Sequence, residues 1–250
     1  ISGTYAPAAT SGTGTGTAQC HANFGQKPFK FPPPDGFQPL NGANVRPETV
    51  ITHPDQFVST VLWTGNSTAR SIVTNNAPDF VWTKLRNTGN NHKLFDSVRG
   101  IEKRLESSTT NGESTESGTV TSFNSDGFSL GTAGNVNGSY NYVAWCWKAG
   151  GSKGNFNVDD VGYASAAAAG LDGGSLAVTG ASVGTKQGFS IIKFASGSSG
   201  NKTLSHGLLE TPTFILVKTT GASSDWSVYH KDLGGTVNNY LVLNTTAANA

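Results

Sequence analysis

Methionine is absent from this chain, and charged residues make up only 13% of it, about half the usual share of a soluble domain. With so few Lys and Glu to clothe a surface, long amphipathic helices are disfavoured from the outset. The 17 basic and 16 acidic residues leave a formal charge of +1. No global field therefore favours nucleic acid or an anionic membrane as a partner. No run approaches the roughly 18 apolar residues that cross a bilayer as a helix, so no membrane insertion is expected. Two cysteines, Cys20 and Cys146, are too few for a disulfide scaffold. The start, Ile1-Ser2-Gly3-Thr4-Tyr5, has neither the basic nor the apolar region of a signal peptide. That start, without a Met, suggests a segment of something longer.

What is present points to strands. Gly contributes 32 of 250 residues and aromatics 10%, and the aromatics sit inside β-branched runs where they can form a core. The fold class expected is all-β: antiparallel β-sandwich modules in tandem. Strand-like runs are Phe57 to Trp63, Asp79 to Lys84, Val120 to Phe123, Phe128 to Leu130 and Tyr140 to Lys148. Asn124-Ser125-Asp126-Gly127 reads as a hairpin turn. In the last run Val143, Trp145 and Trp147 share one face, and Ala144 and Cys146 the other. Cys146 reads as a small packed residue. Residues 1–47 hold two short strand-like stretches and the stop Pro32-Pro33-Pro34, too little to fold without partner strands.

A weak self-similarity recurs at about 134 residues. Pro78-Asp79-Phe80-Val81-Trp82-Thr83-Lys84 aligns with Pro212-Thr213-Phe214-Ile215-Leu216-Val217-Lys218. Leu94-Phe95 then meets Val228-Tyr229, and Gly100 meets Gly234. Further on, Leu105 with Thr109-Thr110 is matched to Leu243 with Thr245-Thr246, and upstream Phe57 to Trp63 is matched to Phe189 to Phe194. The order of these matches implies duplication of one structural unit, with the second copy incomplete. The division expected is a first module over 48–148, a Gly/Ala-rich connector over 149–185 and a truncated second module over 186–250.

No catalytic constellation emerges. The five histidines, His21, His53, His92, His206 and His230, show no metal-ligand spacing, and no cofactor is expected. Asp96, Glu102, Glu106 and Asp159-Asp160 are the acidic candidates for a glycosidase pair, and each reads more simply as a solvated loop carboxylate. One stretch stands out by charge. Lys84, Arg86, Lys93, Arg99, Lys103 and Arg104, with His92 among them, face only Asp96 and Glu102, a local excess of +4. This is either a contact patch for anionic surface sugars or a partner subunit, or an ordinary solvated face. Trp82, Trp145 and Trp147 read first as core by strand alternation, and otherwise as a sugar-stacking platform.

Two portions resemble known families. Asn23-Phe24-Gly25-Gln26-Lys27-Pro28-Phe29, followed by Pro-Pro-Asp-Gly-Phe, is similar to the C-terminal strands of a SPRY-type β-sandwich. Pro78-Asp79-Phe80-Val81-Trp82, Leu94 to Gly100, Ser122 to Phe128 and Tyr142 to Gly151 resemble, in order, a repeat module of structural proteins from tailed phages, many of them marine or infecting cyanobacteria. That resemblance implies a non-enzymatic virion protein, assembled in the host cytoplasm: a tail fibre or appendage segment acting as spacer and adhesin toward host-surface glycan. The partners it implies are other virion subunits, with a homotrimer by analogy to fibres. A capsid decoration protein and an appendage-borne polysaccharide depolymerase are the alternatives.

Overall fold

β-branched and aromatic runs set the strands, and the tight turns between them are where Gly, Asn and Asp gather. The computed structural model describes residues 51, 53–197, 199–233 and 239–245. These fall in the compact unit Ile51–Ala250. The strands expected within 1–47, Cys20 and His21 lie outside the described residues.

The strands of the first half are β1 (Val58–Thr64), β2 (Arg70–Val73), β3 (Phe80–Leu85), β4 (Lys93–Asp96), β5 (Lys103–Arg104), β6 (Ser114–Thr115), β7 (Val120–Asn124), β8 (Gly127–Leu130) and β9 (Asn141–Trp147). A four-residue helix, α1 (Gly134–Asn137), precedes β9. The order β1-β9-β3-β4 makes one antiparallel sheet and β2-β8-β7 a second, with β5-β6 a small ribbon. The two larger sheets face each other as a sandwich. Trp63, Val81, Leu85, Phe95, Tyr142, Ala144 and Cys146 come from the first sheet, and Ile72, Val120, Phe128 and Leu130 from the second, all in one buried cluster. Trp63 stacks on Tyr142 at 5.2 Å and meets Phe128 edge-on at 6.0 Å. The polar ends of these rings are satisfied within the core: Trp63 Nε1 donates to the Val136 carbonyl (3.2 Å) and the Tyr142 hydroxyl to that of Gly134 (2.8 Å).

The second half holds β10 (Phe156–Val158), β11 (Val161–Tyr163), β12 (Val178–Gly184), β13 (Phe189–Phe194), β14 (Phe214–Val217), β15 (Ser227–His230) and β16 (Leu241–Val242). They form the sheets β11-β10-β12-β13 and β14-β15-β16, with β10 and β12 parallel. Residues 149–185, expected as a connector, therefore carry three strands. With β13 they enclose a core of Leu171, Val178, Ala181 and Val183. The sequence conceals this because a buried position is polar and small: Ser182 accepts from Gly150 N and donates to the Gly151 carbonyl. The Ala run closes one turn, with Leu171 N bonded to the Ala166 carbonyl, and Gly170 at φ +69° ends it.

The duplication is visible in strand register. β3 pairs with β4 through Phe80↔Asp96, Val81↔Phe95, Trp82↔Leu94 and Thr83↔Lys93. Adding 134 to each number gives the β14–β15 pairs Phe214↔His230, Ile215↔Tyr229, Leu216↔Val228 and Val217↔Ser227. The flanking bond from Ser97 N to the Asp79 carbonyl recurs in the same way, from Lys231 N to Thr213. One sequence match changes. Leu94 bridges Leu105, and its counterpart Val228 pairs with Leu241, so Leu105 corresponds to Leu241 and not Leu243. The two leucines are two residues apart in an extended segment, and a period-two pattern cannot choose between them.

Candidate functional site

Strand alternation distinguishes the two faces of β3 and β9 without saying which is buried in the sandwich. The interior takes Val81, Thr83 and Leu85 with Tyr142, Ala144 and Cys146. Trp82, Trp145 and Trp147 consequently lie on the outer face, half-buried, and not in the sandwich core where alternation first placed them. Register lines this face up in rows. Thr60, Trp145, Trp82 and Leu94 form one row, and Val58, Trp147, Phe80 and Asp96 the next.

The rings make a continuous belt. Phe80 meets Trp82 at 6.5 Å and Trp147 at 5.5 Å, and Phe189 from β13 lies over both Phe80 (6.2 Å) and Trp147 (6.4 Å). At the other end His92 stacks on Trp145 at 6.5 Å with an interplanar angle of 13°. Trp82 Nε1 donates to His92 Nδ1 at 2.8 Å. A ring nitrogen that accepts is unprotonated, so the imidazole proton sits on Nε2. Burial first, and the charge of Lys84 second, hold His92 below its ordinary pKa, which keeps the ring neutral at pH 7. The second copy covers part of this face: Leu94, Leu105 and Trp226 form a buried cluster against which Phe80, Trp82 and Leu216 pack. Toward β1 the face stays open, with Val58 and Leu62 exposed. The open part offers flat apolar rings, a neutral imidazole N–H, the Thr60 hydroxyl and the Lys84 ammonium.

The cationic stretch is largely turned inward. Lys93 is buried and pairs with Glu106 at 3.0 Å. Arg99 pairs with Asp96 at 2.5 Å and Glu113 at 3.4 Å, and also donates to the Lys103 and Leu94 carbonyls. Arg104 pairs with Glu116 and, at 3.7 Å, with Glu106. Glu106, Glu113 and Glu116 lie outside 84–104 in sequence, and the fold brings them back onto it. Lys84 donates to the Asn90 carbonyl (2.7 Å) and Lys103 to the Thr115 hydroxyl (2.7 Å), both at the surface. Arg86 is exposed at the end of β3. Of the seven residues singled out, Lys84 and His92 adjoin the aromatic face, and Lys93, Arg99 and Arg104 serve the fold.

The acidic candidates are likewise engaged. Glu102, at φ +61°, accepts from Gly118 N at 2.7 Å. Asp159 accepts from Thr185 N and its hydroxyl, and Asp160 pairs with Lys148 at 2.7 Å. Among the described residues no group of three or more His, Cys, Asp or Glu is placed to hold a metal ion, and no helix is long and apolar enough to cross a membrane. Phe80, Phe189 and Trp226 are aromatic members of this face that the sequence reading did not single out as site residues. The signal for Trp226 was the repeat itself, because it occupies the position of His92 in the second copy.

Fold and face together define an all-β protein built on a duplicated unit, with an outward aromatic surface between the copies. Residues 53–250 match the family model described as Domain of unknown function (DUF7483), and the chain belongs to that family. No curated protein and no solved structure matches it.

Proposed function

We propose that this chain is a structural protein of a tailed-phage virion: a segment of a tail fibre or other appendage that acts as spacer and adheres to host-surface glycan, without enzymatic activity. The virion assignment rests on the ordered strings Pro78 to Trp82, Leu94 to Gly100, Ser122 to Phe128 and Tyr142 to Gly151. The observation that carries the adhesive role is the aromatic face of Trp145 and His92, open toward β1. A duplicated all-β unit with a hydroxyl- and amide-rich surface suits an extended, protease-exposed appendage. The partners are other virion subunits, in a homotrimer by analogy with fibres, and the site of action is the virion, assembled in the host cytoplasm.

A reconstruction of the intact particle at side-chain resolution tests the assignment. Density for this chain on a tail-attached fibre with the Trp145 face outward supports it, whereas density on the capsid shell makes the protein a decoration subunit. Titration of the full chain with host envelope polysaccharide tests adhesion. Trp145→Ala is expected to weaken binding about tenfold, equivalent to about 1.4 kcal/mol. Unchanged affinity would remove the aromatic face from the proposal.

A further inference from the structure

We infer that the glycan held at the aromatic face is acidic, and that Lys84 and Arg86 bind the carboxylate or sulfate carried on its rings. This inference rests on the adhesive reading above and narrows it to a substrate class. The local charge excess of the sequence does not by itself identify such a site, because the fold neutralises much of it: Lys93, Arg99 and Arg104 each meet carboxylates. The cations left over are informative by their position. Among the described residues neither Lys84 nor Arg86 has a carboxylate partner. Both follow Trp82 along the outer side of β3.

Alternation and register give that placement. Trp82 and Lys84 alternate with the interior residues Val81, Thr83 and Leu85. The bond from Arg86 N to the Asn141 carbonyl continues the β3–β9 register by one pair, so Arg86 is the next residue on the Lys84 side. Beyond the row of Thr60, Trp145 and Trp82 comes Leu62, Val143 and Lys84, and then Thr64, Asn141 and Arg86. The two cations thus stand about 7 and 13 Å along the strands from the Trp145 row, at an end of the face where Leu62, Thr64 and Arg86 are exposed. A ring resting on Trp145 and the next ring of the same chain can each present an anionic group to them. Lys84 is held there without being neutralised. Its ammonium donates to the Asn90 carbonyl at 2.7 Å, which leaves two of its three donors for a ligand. Arg86 adds a planar guanidinium fork, which matches an oxyanion in shape as well as charge. With a total charge of +1 the chain exerts no long-range pull on anions. An anionic ligand is then recognised locally, and beside Trp145 stacking and ionic recognition coincide.

The test titrates the full chain with one sugar backbone in three states of charge: polygalacturonate, its carboxyl-reduced neutral form, and that neutral form after sulfation. At low ionic strength the parent is expected to bind an anionic form at least tenfold more tightly than the neutral one, with the gap closing as salt screens the contact. The two anionic forms compared with each other show whether carboxylate or sulfate is preferred. Lys84→Gln with Arg86→Gln is expected to reduce the anionic affinities to the level of the neutral form, whereas Lys84→Arg with Arg86→Lys, which keeps both charges, retains the preference. Lys153→Gln, which removes an exposed cation elsewhere, is expected to change none of the three. Trp145→Ala is expected to weaken all of them. Equal binding of charged and neutral forms, still weakened by Trp145→Ala, would overturn this inference alone and leave the adhesive reading standing. A preference for anions that survives the double Gln variant would also overturn it, because the charge is then read elsewhere. Absence of binding to all three forms would remove the inference and the adhesive reading together.

Discussion

Cys146 lies at the centre of the sandwich with no solvent exposure. Burial pushes its thiol up from 9.0 to about 12, against a smaller opposing effect of the Ser59 hydrogen bond. A raised thiol pKa means that the folded state holds a proton the unfolded chain gives up. The associated stability is complete below pH 9.0 and is lost as pH rises toward about 12. Urea midpoints measured from pH 8 to pH 11 should therefore fall more steeply for the parent than for Cys146→Ala, which should itself cost about 1 kcal/mol at pH 7 through the small cavity it leaves. Glu106 works at the other end of the scale. Burial alone would raise its pKa, but the hydrogen bond and charge of Lys93, the charge of Arg104 and the Asn91 bond together outweigh it and hold the carboxyl below 4.5. Its contribution is present above pH 4.5 and lost as pH falls through the depressed value. Glu106→Gln should flatten the loss of stability between pH 5 and pH 3. Asp79, which burial raises, has the opposite sign but is common to both proteins and drops out of the comparison. Glu106→Ala, which strands the buried Lys93 ammonium, should cost about 3–5 kcal/mol in a urea titration at pH 7. The packed role of Cys146 was legible in sequence from its place in an aromatic run. That of Glu106 was not, because its partner Lys93 is 13 residues away and the Leu94–Leu105 bridge brings the two together.

β1, β3, β7, β8 and β9 were legible as elements, and β13 and β14 through the repeat, because β-branched and aromatic runs bounded by turn residues have few alternatives. β2, β4 to β6, β10 to β12 and β16 were not, being short or carrying polar and small residues on buried faces. The hairpin of β7 and β8 shows a different gap between pattern and cause. Asn124-Ser125-Asp126-Gly127 was legible as a turn, and Asn124 does pair with Gly127. Gly127, however, is absent from the positive-φ positions of the chain, so the turn does not require a glycine there. The reason is steric: a Cβ at Gly127 would stand 2.0 Å from the Ile72 carbonyl oxygen of the neighbouring β2. Gly100 is the contrasting case, at φ +99° with open space around a Cβ. Gly127→Ala should force β2 from β8 and cost about 1–3 kcal/mol or more, with faster hydrogen exchange at Arg70 to Val73. Gly100→Ala should cost only about 1–2 kcal/mol of backbone strain and leave exchange in β2 unchanged. Equal effects at both strands would mean that β2 and β8 can separate freely.

At the scale of the whole molecule, one copy is seated on the outer face of the other. Sequence could establish the repeat but not this docking, since the residues that make it were ambiguous one by one. Trp226 is the centre of the contact: it is 4% exposed, packs with Leu94 and Leu105, and donates from Nε1 to the Glu106 carbonyl at 2.8 Å. Two backbone bonds flank it, Glu113 N to the Thr220 carbonyl and Ser224 N to that of Thr110. β14 to β16 expose Phe214, Ile215, Val217 and Leu241 and have little core of their own, so their folding depends on the first copy more than the first depends on them. The first copy has a closed core and should not share that dependence. Trp226→Ala should therefore remove about 3–5 kcal/mol from the contact and split unfolding into two steps. The C-terminal strands should melt first and become sensitive to limited proteolysis after residue 197, while the Trp63 and Tyr142 environment persists to the parent's urea midpoint. A single transition displaced as a whole would instead show that the two copies fold as one cooperative unit, with the sandwich relying on its second copy for more than a covered surface.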